Sequence, residues 1–237
     1  MTPADAPRSR EPLGAGDPRS RAADNSGLEI LDHEVRPAAG EPEGALILLH
    51  GRGTDERDLF PLLDLFDPKR RLVGYTPGGP LSLPPGGRHW YAVPRVGYPD
   101  PDTFFASLER LEAFVDATGM PLDRTVLGGF SQGTAMSYAL GLRAGRPRPA
   151  AILALSGFIP SVPGWEADLE SRAGLPVAIS HGTRDPVIPV EFAHDARARL
   201  EAAGADVTYH ESPVGHTIDP RFLATLPALV SRATGGL

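Results

Sequence analysis

The pentapeptide Gly129-Phe130-Ser131-Gln132-Gly133, directly behind the run Thr125-Val126-Leu127, constrains this chain more than any other stretch. The run before it has strand character. Behind it, Ala135, Met136, Ala139, Leu140 and Leu142 are spaced for a helix over residues 131–144. Only a very tight turn joins strand to helix in so few residues, and a glycine two positions to either side of the serine leaves room for one. The hydroxyl then stands at the tip of that turn, at a strand's carboxyl end. The pattern is short and its residue types are common. It acquires meaning only if the remaining sequence supplies a sheet around it and partners for the hydroxyl.

A sheet is readily traced. Ala45-Leu46-Ile47-Leu48-Leu49 is a continuous apolar run of the kind buried on both faces, and residues 150–155 and 175–180 read the same way. Residues 71–75 and 207–210 read as shorter strands, and the loose alternation over 28–35 as an edge strand or hairpin. Helical spacing appears over 55–66, through Leu59, Leu62, Leu63 and Phe66, and over 103–117, through Phe104, Leu108, Leu111 and Val115. It returns over 189–203, with proline in the first turn, and from the cap Asp219-Pro220 to residue 232. Strands alternating with helices predict an α/β class: a mostly parallel central sheet with helices on both faces, in one domain over residues 27–237. Residues 77–101, rich in proline and glycine, are too long for an ordinary connection and form a candidate functional loop.

Residues 1–26 lack periodicity and balance their charges, the composition of a disordered tail. They have no apolar centre of a secretory signal, and no stretch approaches the ~18 apolar residues of a membrane span. The expectation is a cytoplasmic protein without membrane insertion. A formal charge of −7 argues against a basic surface for nucleic acid. With no cysteine, disulfides, thiolate metal sites and a cysteine nucleophile are excluded. No histidine/carboxylate set has metal-ligand spacing and no loop has the form of a phosphate cradle, so neither metal nor cofactor is expected. His50 and His181, each behind a strand, leave a bound ion as the open alternative.

A serine hydroxyl needs an imidazole to take its proton, and the imidazole needs a carboxylate to fix its tautomer. On the α/β-hydrolase fold those partners follow the serine in the order acid, then histidine. Of the histidines after Ser131, His194 falls in a helix, His210 on a strand, and His181 precedes the best acid. His216, in Pro213-Val214-Gly215-His216-Thr217, lies on a loop behind the last strand and is the candidate base. Glu191, Asp195 and Glu201 fit the solvated face of a helix. Asp185 instead follows a buried strand, where parallel sheets place their sites, and Pro186 restricts its backbone. It is the candidate acid; a turn aspartate bonding its own backbone is the alternative.

An oxyanion needs two donors. One is the N–H of the residue after the nucleophile, Gln132, and the other comes from a loop behind an earlier strand. Leu49-His50-Gly51-Arg52-Gly53 fits, with the N–H of Arg52 as donor and His50 orienting the loop. Trp90, in the long loop, and Phe158, behind a strand, are candidate substrate contacts. For Trp90 the alternative is an anchor between loop and core. Met136 is expected to pack beneath the elbow, the tight turn at Ser131.

Together Leu49 to Gly53, His89-Trp90-Tyr91, Gly128 to Gly133, Leu155-Ser156-Gly157-Phe158-Ile159-Pro160, and residues 181–189 with Gly215-His216-Thr217 resemble the phospholipase/carboxylesterase family of α/β-hydrolases, which includes the acyl-protein thioesterases. The resemblance runs over about residues 28–226. It implies a compact α/β-hydrolase fold with minimal or no lid and a serine esterase acting on small-molecule carboxylic esters of small to medium acyl groups. Thioesters and lysophospholipids are further candidate substrates. Some members dimerise, which leaves a homodimer open. An amidase or peptidase using the same machinery, and a catalytically silent binding protein, are the competing readings. Arg52 stands where the thioesterases usually carry leucine, so its side chain either binds an anionic substrate group or points to solvent. The segment after Trp90 also departs from the thioesterase pattern. Both departures point away from lipidated proteins as substrates.

Overall fold

In chain order the strands are β1 (His33–Arg36), β2 (Ala45–Leu49), β3 (Val73–Pro77), β4 (Leu81–Ser82), β5 (Arg88–His89), β6 (Thr125–Phe130), β7 (Ala151–Leu155), β8 (Pro176–Gly182) and β9 (Asp206–Ser212). The helices are α1 (Phe60–Phe66), α2 (Pro101–Ala117), α3 (Gln132–Gly141), α4 (Glu191–Ala202), α5 (Pro220–Leu223) and α6 (Leu226–Ala233). This computed structural model describes residues 30–235. The expected tail over residues 1–26 lies outside the described residues.

Seven strands form one sheet in the order β1-β3-β2-β6-β7-β8-β9, antiparallel at β1–β3 and parallel everywhere else. Successive side chains of a strand enter opposite faces, and β2 shows the consequence. Ala45, Ile47 and Leu49 join a core with Phe104, Leu108 and Leu111 of α2, Ala135 and Met136 of α3, and Leu200 of α4. Leu46 and Leu48 join a second core with Leu63 and Phe66 of α1, Phe222 of α5 and Leu229 of α6. This is the expected α/β-hydrolase architecture. Among the described residues no helical cap interrupts it; the long loop 77–101 carries the small β4–β5 hairpin and an isolated bridge between Arg95 and Tyr98.

Several boundaries differ from expectation for local reasons. α1 begins at Phe60 rather than near residue 55, because Asp55 closes a turn: its side chain accepts from Arg57 N–H (2.9 Å) and its carbonyl from Asp58 N–H (3.2 Å). The helix expected from Asp219 to residue 232 is two helices. Asp219 caps α5 through Arg221 N–H, as its sequence suggests, but Pro227 cannot donate and restarts the chain as α6. Of the edge strand or hairpin expected over 28–35, the described residues form an edge strand, β1, paired with β3; residues 28 and 29 lie outside the described residues. β8 and β9 each run two residues further than their apolar patterns, so His181 lies on a strand rather than behind it.

The crossing of β6, α3 and β2 leaves no space beside the elbow. A Cβ on Gly133 would meet the Leu49 carbonyl oxygen at 1.9 Å, and one on Gly129 would meet the Gly133 carbonyl carbon at 2.3 Å. Both obstacles are backbone. Gly133→Ala is therefore expected to destabilise the fold by about 3 kcal/mol or more, at the upper end of overpacking costs. A urea unfolding midpoint unchanged from the parent would refute this close approach.

Candidate active site

Ser131 has φ 56° and ψ −115°, a conformation that costs a non-glycine residue of order 1–3 kcal/mol. Its surroundings over-determine it. Ser131 N–H donates to the Leu155 carbonyl (3.0 Å), tying the elbow to β7. The Thr134 hydroxyl lies 2.6 Å from the Gly129 carbonyl and 2.8 Å from that of Leu155, and accepts from Leu155 N–H at 3.1 Å. The strain is held by hydrogen bonds from both sides of the turn.

The loops behind β8 and β9 converge on this serine. His216 Nε2 is 2.9 Å from Ser131 Oγ, and His216 Nδ1 is 2.6 Å from Asp185 Oδ2. The Phe130 ring packs against the imidazole, with centroids 4.8 Å apart. The His216 loop is held by Arg184 N–H donating to the Val214 carbonyl (3.0 Å) and Ser156 Oγ–H donating to that of Thr217 (3.2 Å). The Asp185 carboxylate is sealed from solvent, which pushes its pKa upward. The hydrogen bond from His216 and the amides of Ile188 (2.9 Å) and Val187 (2.8 Å) outweigh burial, and the net displacement is downward. The turn bonds considered as the alternative to an acid role thus coexist with the bond to His216: Oδ1 takes the amides and Oδ2 the imidazole.

Parallel pairing of Leu49 with Gly129 brings the loop after β2 beside the elbow, and a methyl on Gly51 would lie 3.6 Å from Ser131 Cβ. His50 is buried beneath this loop. Its Nε2 accepts from Gly79 N–H (2.8 Å), so the proton sits on Nδ1 and is donated to the Gly51 carbonyl (2.6 Å). Burial lowers its pKa and keeps it neutral. Both nitrogens are engaged by the chain itself, in keeping with an orienting role. Gln132 N–H is the first amide of α3 and has no acceptor within the helix. The Arg52 side chain is exposed at the rim, with Nη2 3.4 Å from the Pro84 carbonyl.

A cleft of about 370 Å³ opens over these groups, walled by Tyr91, Val93, Val96, Phe158, Val187 and Ile188, with Arg52 and Asp58 also contributing. Phe158 lies where expected, against the cleft, with its ring packed on Phe192 (centroids 5.4 Å). Trp90 requires a correction. It is 0% exposed, does not line the cleft, and donates Nε1–H to the His50 carbonyl (3.0 Å); it anchors the loop. Its neighbour Tyr91 reaches the cleft instead. Met136 is buried in the core, as expected of packing beneath the elbow.

The Gln132 side chain has a role that sequence reasoning missed. Its Oε1 accepts from Trp90 N–H (3.0 Å) and its Nε2 donates to the Tyr91 carbonyl (2.8 Å), clamping the long loop to the elbow. A buried amide must find partners, and that requirement was the available signal. Its direction was not, because the partners are backbone atoms about 40 residues away.

The model of the phospholipase/carboxylesterase family matches residues 31–232. Acyl-protein thioesterase 1 of Debaryomyces hansenii is 31% identical over 224 residues, covering 80% of this chain and 91% of that protein. Esterase YpfH of Escherichia coli is 28% identical over 199 residues, covering 80% and 83%. Among solved structures, esterase PE8 is similar at 29% identity and a TM-score of 0.72, covering 86% of this chain and 99% of its own. The carboxylesterase of Bacillus cereus has a TM-score of 0.74 at 22% identity, covering 86% and 94%, a likeness of fold alone.

Proposed function

The chain belongs to the phospholipase/carboxylesterase family, and on that premise we propose that it is a serine carboxylesterase working through an acyl-enzyme. The observation that carries this reading is the line of contacts Ser131 Oγ–His216 Nε2 (2.9 Å) and His216 Nδ1–Asp185 Oδ2 (2.6 Å) beneath the cleft. Ser131 Oγ attacks the acyl carbon while His216 Nε2 takes its proton. Asp185 holds the Nδ1–H of His216 and stabilises the imidazolium that forms. The tetrahedral oxyanion accepts from the N–H groups of Arg52 and Gln132, each donor contributing about 10²–10³ in rate. His216 then protonates the leaving alkoxide or thiolate, and water repeats the attack to release the acid.

The volume and apolar walls of the cleft favour small to medium acyl groups, on oxygen esters first and on thioesters or lysophospholipids as further candidates. No helix among the described residues is long and apolar enough to cross a membrane, and a cytoplasmic enzyme drawing substrate from solution belongs to the same proposal. Every group it uses comes from one chain, so a homodimer is not required for chemistry.

A fluorophosphonate probe is expected to label Ser131 in the native protein and not after unfolding. Matched oxygen esters and thioesters across a chain-length series should then be turned over fastest at short to medium lengths. Turnover of small amides with none of any ester would sink the proposal.

A further inference from the structure

We infer that the buried His181 is a positioning residue for the acid of the site, acting through its Nε2–H on the loop that carries Asp185. This rests on the serine hydrolase reading above. His181 is the penultimate residue of β8, and its side chain is 0% exposed. Its Nε2 lies 2.9 Å from the Ile188 carbonyl and 3.5 Å from Asp185 Oδ2. A carbonyl can only accept, so Nε2 carries the proton and donates it. Nδ1 is buried without a hydrogen-bond partner. One nitrogen of the ring therefore does all of its polar work.

That bond closes the acid loop on itself. The Ile188 peptide is gripped twice: its N–H donates to Asp185 Oδ1 (2.9 Å), and its carbonyl accepts from His181. With Oδ1 fixed by Ile188 and Val187, the carboxylate keeps Oδ2 aimed at His216 Nδ1. Without His181 the Ile188 carbonyl loses its buried partner and the peptide is free to turn. Oδ1 then loses the amide that sets the carboxylate's rotation. Misplacement of a catalytic group by about 1 Å costs about 10²-fold in rate.

The charged and titratable groups facing His181 are Asp185 on its own loop, Glu211 on the paired strand β9, and His216. Burial, the largest influence, lowers its pKa against the Ile188 bond and the two carboxylates, and keeps the ring neutral. The neutral form is the one that leaves Asp185 committed to His216 rather than to an ion pair with His181.

A mere space-filling role makes a different prediction from a donor at one atom. A glutamine amide nitrogen can occupy the Nε2 position, whereas an asparagine amide nitrogen falls near Nδ1, which bonds to nothing. The full-length protein would be compared as parent, His181→Gln, His181→Asn and His181→Ala. The readouts are kcat and KM on an ester the parent hydrolyses, the melting temperature, and the downfield proton resonance of the His216–Asp185 hydrogen bond. His181→Gln is expected within about threefold of the parent in kcat. His181→Asn and His181→Ala should lose about 10–100-fold in kcat with KM within about threefold, and their downfield resonance should broaden or vanish. His181→Asn matching or exceeding His181→Gln would overturn the inference, as would a folded His181→Ala with the parent's kcat and resonance. If His181→Ala fails to fold, the glutamine and asparagine pair decides alone. If the parent hydrolyses no ester, the hydrolase reading has failed on its own account, and the resonance, which needs no substrate, still decides the part played by His181.

Discussion

Alanine in place of Ser131 is expected to reduce kcat for ester hydrolysis by about 10⁵–10⁶-fold, with KM little changed and fluorophosphonate labelling abolished. The size follows from the division of labour in the site. In the proposed mechanism Ser131 Oγ forms the acyl bond, and without it His216 and Asp185 have no proton to move. The oxyanion donors and the cleft survive, so a residual acceleration over water of about 10³–10⁴ remains the floor. Stability should respond little. Alanine keeps the positive φ and the strain that goes with it, and the change deletes one oxygen bonded to a half-buried imidazole. A variant melting like the parent yet retaining more than one-hundredth of its activity would place the nucleophile elsewhere.

The elbow could be located from the sequence because its constraint is local: a turn without room for side chains can be made only by glycines at fixed offsets. The apolar runs at 45–49 and 150–155 located the inner strands for a similar reason, since both of their faces are covered and both must be apolar. Asp185 and His216 followed from chain order and strand ends. What stayed hidden depends on contacts between distant segments. Trp90 reads equally well as a wall of the cleft or as an anchor until the His50 carbonyl is seen to take its indole N–H. Nothing near Gln132 announces that its amide is engaged by residues 90 and 91. Chain order sets His181 aside as the base, because it precedes Asp185, and leaves only a bound ion as its alternative. The role inferred for it, holding the loop that follows, runs through a carbonyl seven residues on. The break between α5 and α6 was legible in principle, through Pro227, but the cap at Asp219 and a continuous apolar spacing pointed to one helix.

Asparagine at position 185 is expected to lower kcat by about 10⁴-fold while leaving the fold intact, because the surrounding donors dictate how the amide must sit. Oδ1 of the aspartate accepts two backbone amides, from Val187 and Ile188. Turning the asparagine NH₂ toward them would set donor against donor and take from both amides the acceptor they now share. The amide oxygen therefore takes the Oδ1 position, and the NH₂ faces His216. It can only donate there, so His216 Nδ1 must accept and its proton moves to Nε2. That nitrogen points at Ser131 and can no longer take the serine proton. Labelling of Ser131 should slow in parallel with kcat, and KM should hardly change. Stability carries a second signature. The folded-state pKa of Asp185 is depressed, so its contribution is fully present above the unfolded value of about 3.9 and is lost as pH falls through the folded one. Asparagine does not titrate, and the stability gap between parent and variant should narrow as the parent is taken below pH ~4. An asparagine variant within tenfold of the parent, or a gap constant through that range, would mean that another carboxylate serves His216.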